Sequence, residues 1–206
     1  MTYLYYLLTI VIGYLIGSLN FSIIIGKIFY KTDVREHGSK NAGATNTLRT
    51  LGTVPGIIVF LLDTLKAVIA FLIVSLIPYN RPVAAYLAAA AASIGHNYPV
   101  FFGFKGGKGV TVSLGALFCF HPLAGLLALS AAIVIFITTR YVSLGSMIGT
   151  ATAPFLLIWL YKGEHKPLVI ILTVILAAQI IIRHKNNIKN LINHTERKIS
   201  LKKKQD

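Results

Sequence analysis

The chain has 206 residues, of which 55% are apolar and only 13% charged, with a mean hydropathy of +0.72. A soluble domain carries about a quarter charged residues, so this deficit excludes an ordinary soluble fold and places the chain in the membrane class. The formal charge of +14, from 20 Lys and Arg against 6 Asp and Glu, calls for an anionic partner, and the single cysteine, Cys119, excludes an intrachain disulfide.

A membrane-spanning helix needs about 20 mostly apolar residues. The first apolar run, 4–28, lacks a basic leading region and is too long for a signal peptide, so it is expected to be a retained helix. Gly13-x-x-x-Gly17 within it predicts a close helix contact, as does Gly145-x-x-x-Gly149 later in the chain. The loop that follows runs from Thr32 to Arg49 and is rich in small polar residues. Ser39, Asn41, Thr45 and Asn46 are donors suited to anion oxygens, Arg49 can grip one bidentately, and two glycines allow close backbone approach. The same composition also fits an ordinary polar loop. Asp33 and Arg35 read as a structural ion pair.

The second run, 54–77, carries Asp63 and Lys66 at i, i+3. Charge inside a span is a functional flag by default, but this spacing also suits a buried pair that holds helices together, and the structural role is the expectation here. Run 82–101 leads into His96-Asn97-Tyr98-Pro99-Val100-Phe101 and then Phe104-Lys105-Gly106-Gly107-Lys108-Gly109. Glycines around a lysine just before a helix start favour a phosphate, because unpaired N–H groups and the helix dipole point at it. A Walker loop is excluded, since Phe102 and Gly109 stand where that frame needs glycine and a hydroxyl residue.

Run 110–120 is marginal in length and is broken by His121-Pro122. Runs 122–138, 143–161 and 167–182 complete the set. Arg140 leads into a helix bearing Ser143 and Ser146, which fits a basic anchor or a binding patch. Arg183-His184-x-x-Asn187 ends the last run, with His184 and Asn187 on one helix face. In the tail, Ile188, Leu191 and Ile192 among Lys185, Lys189, Arg197 and Lys198 predict an interfacial amphipathic helix.

Seven spans with the N-terminus outside put 16 basic residues on the face of the C-terminus and only Arg81, Lys162 and Lys166 on the other. The positive-inside rule makes the rich face cytoplasmic. Six spans would send the basic tail outward; five spans, with two marginal runs re-entrant, would keep the same sidedness. The expectation is an all-α, polytopic single domain over residues 1–206, with about seven spans and a basic cytoplasmic tail from about residue 184.

Four ordered motifs carry a resemblance: Gly38-Ser39-x-Asn41-x-Gly43-Ala44-Thr45-Asn46-x-x-Arg49, His96-x-x-Pro99-Val100-Phe101, Phe104-x-Gly106-Gly107-Lys108-Gly109 and Arg183-His184-x-x-Asn187-Ile188. Together they resemble the bacterial acyl-phosphate:glycerol-3-phosphate acyltransferases, the PlsY family, over nearly the whole chain. Lys40 replaces a usual glycine, Thr111-Val112 an Ala-Thr, and Ala67 a glycine.

The resemblance implies a multi-pass enzyme of the bacterial inner membrane with its active site facing the cytoplasm. It would transfer an acyl group from acyl-phosphate to the 1-hydroxyl of sn-glycerol 3-phosphate. The products would be 1-acylglycerol 3-phosphate (lysophosphatidic acid) and phosphate, in phospholipid biosynthesis, with no cofactor or metal. It points to Ser39, Arg49, Lys108 and His184 as catalytic. Asn41, Thr45, Asn46, His96, Gly106, Gly107, Gly109, Ser143, Ser146 and Asn187 would bind substrate. Direct transfer is expected, with Ser39 as an alternative nucleophile and His184 as an alternative base. The His-x4-Asp pattern of acyl-CoA-dependent enzymes is absent. The competing class is a transporter or channel for organic phosphates, against which stands the lack of an inverted repeat. Basic residues dispersed over four loops argue against nucleic acid.

Overall fold

The computed structural model describes residues 2–77 and 82–199; Arg81 and Lys202, Lys203 and Lys204, counted above for sidedness, lie outside them. Ten α-helices follow one another: α1 Thr2–Ser18, α2 Phe21–Tyr30, α3 Ala44–Leu51, α4 Thr53–Ser75, α5 Pro82–Asn97, α6 Val110–Phe120, α7 Pro122–Thr139, α8 Val142–Leu160, α9 Lys166–Arg183 and α10 Lys185–Ile192. No strand occurs among the described residues.

The expected single helix over 4–28 is two helices. Asn20 breaks the ladder: its side chain accepts from the Ile23 N–H at 3.2 Å and caps α2, leaving Leu19 between the helices. The two still form one apolar stretch, 28 residues long. With α4, α7, α8 and α9 it makes five stretches long and apolar enough to cross a membrane. α5 and α6 are shorter, at 16 and 11 residues. α5 stops at Asn97 because Pro99 disfavours helix in the residue before it. At the other end of α6, His121 is extended and caps α7, with Pro122 in the first helical turn.

α5 is the hub, buried along its alanines from Ala84 to Ala92 and packed against α1, α4, α6 and α9. The predicted glycine contacts are present. A β-carbon on Gly13 or Gly17 would fall 2.2 or 2.1 Å from the carbonyls of Ala88 and Ala92, and one on Gly145 would meet that of Ala132 at 2.5 Å. Large apolar side chains such as Leu61, Phe155, Trp159 and Ile171 face outward, as a lipid-facing surface requires. The predicted tail helix is shorter than its pattern implied. α10 ends at Ile192, and residues 193–199 turn back over the bundle, where the Ile199 N–H donates to the Arg140 carbonyl at 3.2 Å.

Candidate active site

One end of the bundle gathers the loop before α3, the loop between α5 and α6, the α7–α8 turn and the segment after α9. Between them lies a cavity of about 570 Å3. Every predicted site residue except Gly107 lines it.

The first loop is held from inside. Asn46 is buried; its amide donates to the carbonyls of Val34 (2.7 Å) and His37 (3.1 Å), and its oxygen accepts from the Ser39 N–H at 2.8 Å. The expected direct donor to substrate is therefore committed to shaping the loop that presents Ser39. Gly38 and Lys40 both have positive φ, 59° and 58°. This explains why a glycine is usual at position 40 and why lysine there is the more strained choice. Asp33 and Arg35 pair at 2.7 Å as expected, and Arg35 also donates to the Phe102 carbonyl at 3.0 Å, tying the first loop to the glycine loop. The Arg35 hydrogen bond holds the Asp33 carboxyl well below the usual carboxylate range.

In the glycine loop, a β-carbon on Gly107 would fall 2.1 Å from His96 Nε2 and 2.6 Å from the Ala42 carbonyl, so this glycine serves close packing. Its N–H donates to the His96 carbonyl. Gly109, at φ 82°, starts α6. Between them Lys108 donates to Asn187 Oδ1 across the cavity. Burial pushes the Lys108 ammonium down to about 8, helped by Arg49 and Arg183 and opposed by Glu196. Burial likewise lowers Arg49, whose guanidinium donates to the Arg197 carbonyl at 3.2 Å.

His184 is buried, with Nδ1 2.8 Å from the Ile180 carbonyl. A carbonyl only accepts, so Nδ1 carries the proton and Nε2 a lone pair. Burial, with Lys108 beside it, depresses His184 to about 4, so the ring is a neutral acceptor and a weak base.

The sequence reading missed Glu196. Its carboxylate accepts from Ser143 Oγ at 2.6 Å and Asn187 Nδ2 at 2.7 Å, in the middle of the cationic wall. Burial alone would raise its pKa, but the hydrogen bonds from Ser143, Asn187 and Asn190 and the charge of Lys108 outweigh this and lower it. Arg183, which opens the last of the four motifs, also lines the cavity and stacks over Tyr98 at 4.8 Å. The one available signal for Glu196 was an acid set among basic tail residues.

A second, apolar groove of about 360 Å3 continues from this cavity. Thr45, Phe60, Val110, Thr111 and Ser146 are among the residues the two share, and the groove runs on past Leu114 and Phe136 to Leu176.

Fold and site together define a helical membrane protein in which a cationic cavity leads into an apolar groove. The comparisons agree and are narrower. The model of the family described as glycerol-3-phosphate acyltransferase matches residues 7–194, and the chain belongs to that family. Proteins named glycerol-3-phosphate acyltransferase in Halalkalibacterium halodurans and Clostridioides difficile are 47% and 41% identical to it. Those matches cover 94% and 96% of this chain and 96% and 97% of theirs. Crystal structures of PlsY, an integral membrane glycerol 3-phosphate acyltransferase, superpose in its glycerol 3-phosphate form (TM-score 0.86, 36% identity) and its lysophosphatidic acid form (0.83, 37%). Each covers 95% of this chain, and 96% and 95% of the PlsY chain respectively.

Proposed function

We propose that this chain transfers an acyl group from acyl-phosphate to the 1-hydroxyl of sn-glycerol 3-phosphate, releasing lysophosphatidic acid and inorganic phosphate. The observation that carries this reading is the continuity of the two spaces. Lys108, Arg49 and Arg183 line a cavity sized for phosphate groups, and an acyl chain can run from it past Thr45 and Ser146 into the apolar groove. The names of the family relatives give acyl transfer to glycerol 3-phosphate, which supports the acceptor half of this reading. A transporter reading has no comparable support.

The chemistry asks for positioning more than for a strong base. Acyl-phosphate is a mixed anhydride with a good leaving group. The glycerol oxygen attacks the acyl carbon, the bond from that carbon to the bridging phosphate oxygen breaks, and inorganic phosphate departs. Lys108, Arg49 and the N–H groups of the glycine loop neutralise the phosphate charge. His184 Nε2 and Ser143 orient the attacking hydroxyl, while Ser39, Asn41, Thr45, Ser146 and Asn187 hold the two substrates in register. His184, lowered to about 4 by burial, is a weak base, and its ring accepts a hydrogen bond; the departing phosphate, whose oxygen gains charge as the anhydride bond breaks, takes the proton of the attacking hydroxyl in this reading. Asn46 acts by holding the Ser39 loop.

Seven crossings are the topology we favour, with the N-terminus outside and the site facing the cytoplasm of a bacterial inner membrane. The first stretch, α5, α7 and α9 end at the cavity, whereas α4, α6 and α8 begin near it. An alternating path of seven passes satisfies this pattern, with α5 and α6 as short inner passes of roughly 24 and 16 Å at 1.5 Å per residue. A reporter fused to the C-terminus should be cytoplasmic; labelling of the glycine loop only from outside would overturn the topology.

Purified protein in detergent, given acyl-phosphate and glycerol 3-phosphate without acyl-CoA or acyl carrier protein, should form lysophosphatidic acid. Robust turnover with acyl-CoA alone would refute the donor. Labelled acyl-phosphate without acceptor should leave the protein unacylated; a kinetically competent ester on Ser39 would replace direct transfer by a two-step route.

A further inference from the structure

The reaction above leaves one buried cluster unused. Lys66 lies in the middle of α4 with a side chain only 2% exposed, and Asp63, one turn earlier, is fully buried. The Lys66 ammonium ion-pairs with Asp63 at 3.0 Å, donates to the Leu19 carbonyl at 3.0 Å and sits 2.8 Å from His96 Nδ1. The Phe21 ring closes the cluster at 5.9 Å. The Leu19 carbonyl is free for this contact because the chain breaks between α1 and α2 there.

A structural pair that simply glued helices together would not need the third partner. An ammonium has donors and no acceptor, so at 2.8 Å His96 Nδ1 serves as its acceptor and bears no proton, while the Asp63 carboxylate stands farther from the same nitrogen, at 3.6 Å. The neutral ring then carries its hydrogen on Nε2. That edge meets the glycine loop, since a β-carbon on Gly107 would fall 2.1 Å from Nε2. His96 also lines the polar cavity next to Gly106 and Lys108, and among the described residues no acceptor engages Nε2.

We propose that Asp63 and Lys66 are positioning residues that fix His96 in one ring orientation and one tautomer, so that its Nε2–H donates to a substrate phosphate oxygen beside the Lys108 loop. Asp63 holds the ammonium, the ammonium claims Nδ1, and the far nitrogen is left as a donor aimed at the anion. An unpinned ring has a second tautomer, which turns a lone pair on the phosphate instead. The proposal rests on the reading of the polar cavity as the phosphate site. Either substrate phosphate fits the chemistry, and the separate KM values for glycerol 3-phosphate and acyl-phosphate tell them apart.

The test has a spectroscopic and a kinetic arm. In protein labelled with 15N-histidine in detergent, the His96 signals, assigned by their loss in His96→Gln, should show Nδ1 unprotonated and Nε2 protonated. The Nε2 signal should shift when glycerol 3-phosphate or inorganic phosphate is added. A wild-type ring protonated at Nδ1 overturns the proposal outright. Kinetically, His96→Ala should raise KM for one phosphate substrate by about tenfold or more, the size expected for a lost hydrogen bond to a charged group. His96→Gln, which keeps an N–H near the Nε2 position, should recover part of that loss, and His96→Asn should not.

Lys66→Met alone would strand a buried carboxylate, so the pair is removed together as Asp63→Leu/Lys66→Met. Such apolar replacement of a buried ion pair is commonly tolerated. This variant should match His96→Ala in KM and add little when combined with it, because both remove the same interaction. A folded pair variant with unchanged KM for both substrates, or penalties that multiply in the combination, refutes the positioning role. Should the pair variant not fold, the tautomer measurement and the histidine series still decide. Lys108→Ala measured alongside separates the two levels. If it too leaves both KM values unchanged, the cavity reading falls; if it alone is impaired, only the Lys66–His96 relay falls.

Discussion

The two ends of the bundle are closed in opposite ways. At the cavity end, Lys108, Arg49 and Arg183 line a cavity of about 570 Å3 together with Glu196, which accepts from Ser143 and Asn187. At the other end, Tyr86 packs on Phe71 (5.7 Å), Phe120 (5.5 Å) and His165 (6.2 Å), and its hydroxyl meets that of Tyr161 at 3.1 Å. The aromatic end joins α4, α5, α6, α8 and α9 through ring contacts. The difference separates two requirements of a membrane enzyme: one end supplies rigidity, which lets the other keep several like charges close together. Such charges repel and are poorly solvated, so they stay together only on a scaffold fixed elsewhere.

The comparison breaks most sharply at Lys108. Lys108→Ala should lower kcat/KM by about 10- to 150-fold, the range for a charge-assisted contact made in the transition state, while the detergent-solubilised protein keeps its melting temperature. A folded variant with wild-type kcat/KM would remove this lysine from the site.

A pH profile tests the same group without mutation. Burial lowers Lys108 to about 8, so it is charged below that pH and neutral above it. Substrate phosphates are already dianionic there, with a second pKa near 6. Accordingly kcat/KM for glycerol 3-phosphate should fall as pH rises through about 8, approaching tenfold per unit. Lys108→Arg should abolish the fall even where its overall rate is lower.

The groove joining the two ends offers a milder probe. Ala153 is buried and lines it. Ala153→Leu should shift preference toward shorter acyl-phosphates by about tenfold, the lower end of what one misplaced methylene does in an apolar pocket. An unchanged chain-length profile would place the acyl tail elsewhere.

The smallest effect belongs to the aromatic end. Tyr86→Phe removes one hydroxyl pair and should cost about 1 kcal/mol of stability, or a few degrees of melting temperature, with kcat/KM unchanged. A loss of activity larger than the loss of stability would show that the two ends are coupled.

Much of the cavity was legible beforehand. Ser39, Arg49, Lys108, His184 and Asn187 announce themselves because each stands in a short run where glycines, hydroxyls and bases have local spacing suited to an anion. Other features were hidden for a common reason. The break at Leu19–Asn20 looks like any polar step in an apolar run until the Leu19 carbonyl is seen to meet Lys66, 47 positions on. Glu196 reads as one acid in a basic tail until the chain after α10 turns back and sets it against Ser143.

By itself the sequence determined the membrane class, the uneven placement of basic residues along the chain and the identity of the loops that line the cavity. All three follow from composition and from neighbours close along the chain. The tertiary structure alone decided the remainder: that Asn46 shapes a loop, that Gly107 admits the His96 ring, and that His96 and His184, two residues of one cavity lining, each have Nδ1 engaged by a different kind of partner. A histidine's tautomer is set by whichever partner reaches one ring nitrogen, here an ammonium 30 positions away for His96 and a carbonyl in the preceding turn for His184. Such partners are properties of packing, and no local pattern of residues encodes them.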